Sequence, residues 1–175
     1  MREDPDFARN ARIVMMGGAL TVPGNVTPYA EANVFQDPQA TDYVFRHARD
    51  LTMVGLDVTL RTLLTREHTK QWRGTRTGRI YADIVDYYIR AYKTTSPHLG
   101  GCGLHDPLAV AVAADPSLVT CLDLNLRCED NGRTIGDPER LDNPTARVAV
   151  AVDDARFVDD LMSKLGSLYT STSAC

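Results

Sequence analysis

Leu51-Thr52-Met53-Val54-Gly55-Leu56 is an apolar run broken by one hydroxyl and no charge. A strand with one wet face alternates apolar and polar residues. A run without alternation predicts a strand covered on both faces, as in a parallel sheet flanked by helices. The chain on either side fits such a sheet. Ala11–Met16 (A-R-I-V-M-M) predicts a second short strand, ended by Gly17-Gly18, and a helix from Asp37-Pro38 to about Ala48 lies between the two strands, with Ala40, Tyr43, Val44 and His47 at helical spacing. Asp4-Pro5 predicts a short leading helix to about Asn10, with Asp as the cap and Pro at the first helical position. Downstream, Thr59 predicts the cap of a helix Leu60–Thr65. Arg79–Tyr92 predicts a long amphipathic helix carrying Ile80, Ile84, Tyr87, Tyr88 and Tyr92, and Asp106-Pro107 opens an apolar helix to Ala114.

The pattern then changes. Val119–Glu129 and Ala146–Val152 alternate like antiparallel strands, with a turn at Asp130-Asn131-Gly132. Phe157–Leu165 predicts a closing helix, and the Ser- and Thr-rich stretch from Ser167 to Cys175 a frayed tail. Strand–helix alternation followed by a hairpin predicts an α/β fold with an open mixed sheet and flanking helices.

Composition bounds the function. The chain has 175 residues, the size of one domain, with 43% hydrophobic and 24% charged residues and a formal net charge of -4. An acidic chain gives neither nucleic acid nor an anionic membrane a reason to bind. The basic residues between Arg66 and Arg79 are surrounded by acidic ones and predict a solvated helix face or loop. The longest apolar stretch, Leu108–Ala114, predicts a buried helix rather than a membrane span. Cys102, Cys121, Cys128 and Cys175 form no C-x-x-C pair, which fits a reducing, cytoplasmic setting.

In open α/β sheets ligands sit beyond the carboxyl ends of the strands. Two loops are expected there. The first, Met16–Val34 (M-G-G-A-L-T-V-P-G-N-V-T-P-Y-A-E-A-N-V), carries Asn25, Thr27, Glu31 and Asn33. If Glu31–Asn33 is extended, those two side chains share a face. One carboxylate and two amides suit a polyhydroxyl ligand, and equally suit a turn held by its own Asn and Thr side chains. The second loop, Gly100–Pro107 (G-G-C-G-L-H-D-P), pairs His105 with Asp106 after glycines that let a backbone approach a ligand. His105 can act as a general acid near neutral pH, and Asp106 can ligate a hard cation such as Ca²⁺. Asp106 can equally be a helix cap, since the chain has five Asp-Pro pairs. Asp57 reads as the acceptor of a structural hydrogen bond, and His47, His68 and His98 as surface or packing residues.

Met16-Gly17-Gly18-Ala19, Gly24-Asn25-Val26-Thr27-Pro28, Ala30-Glu31-Ala32-Asn33, Asp37-Pro38, Val54-Gly55-Leu56-Asp57-Val58-Thr59 and His105-Asp106-Pro107, in this order, resemble the inosine-uridine preferring nucleoside hydrolases over nearly the whole chain. The resemblance implies the nucleoside hydrolase fold, truncated at its N-terminus, with residues 1–175 as the C-terminal part of a single domain. It implies Ca²⁺-dependent hydrolysis of the N-glycosidic bond of ribonucleosides through an oxocarbenium-like transition state. By position, Asn25 and Glu31 would hold the ribose 5′-hydroxyl, and Asn33 the 2′/3′ side. Asp106 would bind the metal and a ribose hydroxyl, His105 would protonate the departing base, and Met16 would pack beneath the sugar. A homo-oligomer, dimer or tetramer, is also implied. Two departures stand out. Ala32 replaces an aromatic residue usual in the family. The family's Asp-x-Asp-x-x-x-Asp-Asp cluster, which supplies most metal ligands and the general base, is not present; Asp153-Asp154 and Asp159-Asp160 do not match it in place or order. The alternative is therefore a fragment or remnant that binds a nucleoside or a partner without turnover.

Overall fold

The computed structural model describes residues 1–171, and divides into two compact units. The first is formed by Met1–Thr59 with His105–Val152; the second is Leu60–Leu104 together with the chain from Asp153 onward.

The first unit begins with α1 (Pro5–Asn10), whose cap Asp4 accepts from the backbone of Asp6 and Phe7 as its Asp-Pro start predicts. Strand β1 (Arg12–Met16) follows, then α2 (Ala32–Gln36), α3 (Pro38–His47), β2 (Asp50–Val54) and α4 (Leu56–Thr59). The apolar run is thus a buried strand that stops at Val54. It lies inside the sheet, parallel to β1 on one side and to a later strand of the same unit on the other.

In the second unit, β3 (Leu63–Leu64) pairs with β4 (Cys102–Gly103), and between them run α5 (Arg66–Trp72) and α6 (Arg76–Thr95). The first unit resumes with α7 (His105–Ala114), β5 (Val119–Leu124), β6 (Leu126–Cys128), β7 (Thr134–Gly136) and β8 (Ala146–Val152), and α8 (Asp154–Ser171) closes the second. The main sheet runs β1-β2-β8-β5, with β5 antiparallel to β8 and the other pairs parallel, while β6 and β7 form a hairpin. An open mixed sheet with flanking helices is what the pattern predicts. Phe45 of α3, Leu51 and Met53 of β2, Val148 of β8 and Leu126 of β6 meet in its core. Phe45 is completely buried, and burying such a side chain stabilises the fold by about 1.5–3 kcal/mol.

Several expectations are corrected. No helix spans Leu60–Thr65. The chain turns into α4 directly after β2, because the Val58 and Thr59 N–H groups both donate to the Gly55 carbonyl and Asp57 is tied down behind them. Thr65 instead precedes α5, its N–H donating to Nδ1 of His68 at 3.1 Å. Helix α6 starts before Arg79, since Thr75 caps it by accepting from Gly78 N–H at 3.0 Å. Arg73, in the basic stretch, bridges Asp83 and Asp86 of α6 at 2.9 Å each. Burial pushes the Asp86 carboxyl up, but hydrogen bonds from Thr69 and Arg73 outweigh it and hold the group below its ordinary value. Helix α8 starts ahead of Phe157, with Asp153 accepting from Arg156 N–H, and runs through Ser171 where fraying was expected from Ser167; residues 172–175 of that tail, Cys175 among them, lie outside the described residues. Among the described residues no helix is long and apolar enough to cross a membrane.

Candidate active site

Beyond the carboxyl ends of β1 and β2 lies a loop held by two buried carboxylates. Glu31 is 2% exposed and accepts from three backbone groups: Gly18 N at 3.0 Å and Val34 N at 3.2 Å on Oε2, and Asn33 N at 3.0 Å on Oε1. It therefore caps α2, and residues 31–33 are not extended. A short helix wins here because a carboxylate can satisfy the orphan N–H groups of a first turn. Glu31 and Asn33 accordingly do not share a strand face.

Asp57 is equally buried and accepts from Leu20 N at 3.0 Å, Thr21 N at 2.7 Å and Thr21 Oγ1 at 2.6 Å. The structural role read for Asp57 holds, with partners 36 and 37 residues away. Between the two carboxylates, Gly18 takes φ +84°, and a Cβ there would lie 2.8 Å from Met53 Sδ. Both facts call for glycine.

The remaining candidates gather around this frame. Asn25 is exposed, and its Oδ1 accepts from Ala32 N at 3.0 Å, folding the loop back onto the start of α2. Gly24 permits that return, since a Cβ would meet the Ala30 carbonyl oxygen at 2.2 Å. Asn33 is exposed, and its Nδ2 donates to Met16, at 3.4 Å to the carbonyl and 3.2 Å to Sδ. Met16, the last residue of β1, is half-buried. His105 and Asp106 begin α7, so Asp106 sits inside the first turn with its carboxylate exposed, and is not the cap. His105 is half-buried, and its Nδ1 lies 2.7 Å from Thr59 Oγ1. Burial holds its pKa below the ordinary value, against the opposing pull of the Glu31 and Asp106 charges.

The sequence around Thr59 predicts a helix cap, and no local signal marks its contact 46 residues away. Two of the histidines expected to be surface or packing residues have structural partners: His47 stacks on Tyr43 with ring centroids 3.9 Å apart, and His68 accepts at the start of α5.

The site holds polar groups of the kinds that recognise sugar hydroxyls, beside an imidazole. A model of the family described as "Inosine-uridine preferring nucleoside hydrolase" matches residues 1–159. The chain belongs to this family. It is 34% identical over 178 residues to "Probable uridine nucleosidase 2" of Arabidopsis thaliana, covering 93% of this chain and 55% of that protein. It is 36% identical over 167 residues to "Pyrimidine-specific ribonucleoside hydrolase RihA" of Salmonella newport, covering 90% of this chain and 53% of that protein. Among solved structures, the "Purine-Preferring Ribonucleoside Hydrolase from Gardnerella vaginalis" is 52% identical and superposes with a TM-score of 0.92, covering 96% of this chain and 56% of that one. The chain thus spans about half the length of the relatives it matches.

Calcium is the metal the resemblance implies. Among the described residues no group of three or more His, Cys, Asp or Glu is placed to hold a metal ion. Ca²⁺ takes about six to eight oxygen ligands. Asp106 is one exposed carboxylate, and the Glu31 oxygens are engaged by backbone donors. The described residues by themselves therefore do not fit a Ca²⁺ site.

Proposed function

We propose that this chain carries the sugar-binding and leaving-group side of a ribonucleoside N-ribohydrolase site. In the overall reaction water's oxygen bonds to C1′ of the ribose, and the electron pair of the C1′–N bond leaves with the base. The net transfer of one proton from water leaves ribose and the free base. What supports this reading is membership of this family together with the loop in which Asn25 and Asn33 fold about the buried Glu31, and with His105 and Asp106 at the start of α7.

The roles follow from the chemistry of each group. Asn25 and Glu31 take the 5′-hydroxyl. On Glu31 the oxygen with capacity left is Oε1, which carries one backbone donor against two on Oε2. Asn33 takes the 2′/3′ side, and Met16 packs beneath the ring. Asp106 accepts from a ribose hydroxyl and offers one oxygen to the cation, which we take to be Ca²⁺ with its other ligands from outside residues 1–171. His105 donates toward the departing base, and lowering its pKa makes its protonated form the stronger acid. Clamping the non-reacting hydroxyls turns binding into correct placement of the reacting carbon. We also infer a cytoplasmic role in nucleoside salvage, supported by the free thiols of Cys102, Cys121 and Cys128, and a homo-oligomer, on family likeness alone.

The test is ribose release from inosine and uridine by the purified protein in calcium, read as reducing sugar. Release that is lost in Asp106→Ala supports the proposal. Release that Asp106→Ala leaves unchanged refutes the assigned site. No release from a folded protein removes turnover by this polypeptide and leaves binding.

A further inference from the structure

We propose that the outer edge of β1 and the apolar surfaces beside it are a docking surface for further nucleoside hydrolase polypeptide, the part of such a chain that lies outside this sequence, which adds a strand to β1. Nothing in this depends on the roles given to His105 or Asp106.

The two edges of the main sheet differ. It ends in β1 on one side and in β5 on the other. Natural edge strands are blunted by charge, proline, a bulge or a cover, because an open edge will pair with another strand. β5 is blunted: it carries a bulge between Thr120 and Cys121 and an exposed Asp123. β1 is not. After Arg12 it reads Ile13-Val14-Met15-Met16, the composition of a strand covered on both faces. All four of these residues are only half-buried, while Leu51 to Val54 of the neighbouring β2 are fully buried. Among the described residues no strand pairs with the outer side of β1.

The surroundings of β1 are uncovered in the same way. Ile13 and Met15, on one face of the strand, line an apolar groove of about 430 Å³ with Phe7 of α1 and Ala40 and Val44 of α3, and Phe7 is exposed. Helix α7 adds a second surface. A helix about 10 Å across covers roughly two strands spaced about 4.8 Å apart. Of the strands in the sheet, α7 packs chiefly on β1, the last one, which leaves part of its width with no strand beneath. After Asp106 its residues are apolar on every side, the pattern of a helix surrounded by protein. Leu108, Ala109 and Val112 are buried, but Val110 is 70% exposed and Ala113 and Ala114 are exposed beside it.

The occupant has to be polypeptide, since a strand edge is satisfied by a row of backbone donors and acceptors and its flanks by apolar side chains. The relatives carry nearly as much chain again outside the match, enough for a strand and the residues that cover it.

The experiment co-expresses this chain with a tagged fragment, the part of the Gardnerella vaginalis hydrolase that it does not match. The tag should recover a complex of one copy of each. Hydrogen exchange should slow in the complex at the outward amides of Ile13 to Met16 and stay unchanged along β5. Val110→Glu, at a site exposed in the free chain, should reduce recovery by about tenfold or more, because the charge would be buried without a partner. Leu122→Glu on β5 should leave recovery unchanged. If Val110→Glu does not fold, Phe7→Asp in the groove replaces it. If the fragment is soluble only when fused ahead of Met1, the same exchange comparison between fused and free chain decides. No complex from a folded chain overturns the proposal, as does protection along β5 in place of β1. Self-association of this chain alone with β1 protected gives the edge to a second copy and also overturns it. Ribose release plays no part in these readouts, so a failure of the proposed activity leaves them intact.

Discussion

Replacing Glu31 by Gln tests the frame of the site with one atom's change. The carboxylate takes three backbone donors in a setting 2% exposed. An amide has one oxygen. Keeping that oxygen on Gly18 and Val34 turns its NH₂ against the Asn33 N–H. One charge-assisted bond is lost outright, at about 1.5–3 kcal/mol, and the other two fall to neutral strength, at about 1 kcal/mol less each. Relief from burying a charge offsets part of this. The expected loss is about 2–4 kcal/mol, a large fraction of a domain's stability. Urea unfolding of wild type and Glu31→Gln followed by circular dichroism measures it, with equal m-values showing that the same structure unfolds. A difference under about 0.5 kcal/mol, the range of an indifferent surface change, would refute the assignment of Glu31 as the buried anchor of this loop.

Other perturbations follow from the same contacts. Asp57→Asn should cost about 1.5–3 kcal/mol, since the amide cannot accept on both sides from Leu20 and Thr21; it should also raise hydrogen exchange at the amides of Leu20 and Thr21. Phe45→Ala should cost about 3–5 kcal/mol in the same urea assay, because the ring is completely buried in the core. Burial pushes the Cys102 thiol up to about 11 and the Cys128 thiol up to about 12. A raised folded-state pKa contributes stability that is complete below the unfolded value and lost as pH rises toward the folded one. Unfolding free energy should therefore decline from about pH 9 upward, and iodoacetamide should label these thiols slowly in the folded protein at pH 8; rapid labelling would contradict their burial.

The parts of the fold legible in sequence are those whose signal is local. Asp4-Pro5 and Asp37-Pro38 begin helices because cap and ring act within one turn. The run at Leu51 is a covered strand because neither face needs a polar residue. What escaped is short or long-range. Helix α2 is five residues long, too brief for periodicity to show, and its cap is a glutamate, outside the usual capping set. The end of β2 at Val54 depends on Asp57 finding Leu20 and Thr21 across the fold. At the site, residue identities suggested sugar-binding groups, but the order among them needed the fold. Glu31 is first a structural anchor with an oxygen to spare, and Thr59 becomes visible only when α4 and α7 bring it against His105.

The most direct test of the central claim is where a nucleoside touches this protein. Backbone amide signals should be followed while inosine is titrated into the protein in calcium. The account predicts shifts concentrated at Gly17 and Gly18, Asn25, Ala32 to Val34, and His105 and Asp106. Shifts centred elsewhere, such as the apolar groove of about 430 Å³ lined by Phe7, Met15 and Val44, or no shifts at all, would contradict it.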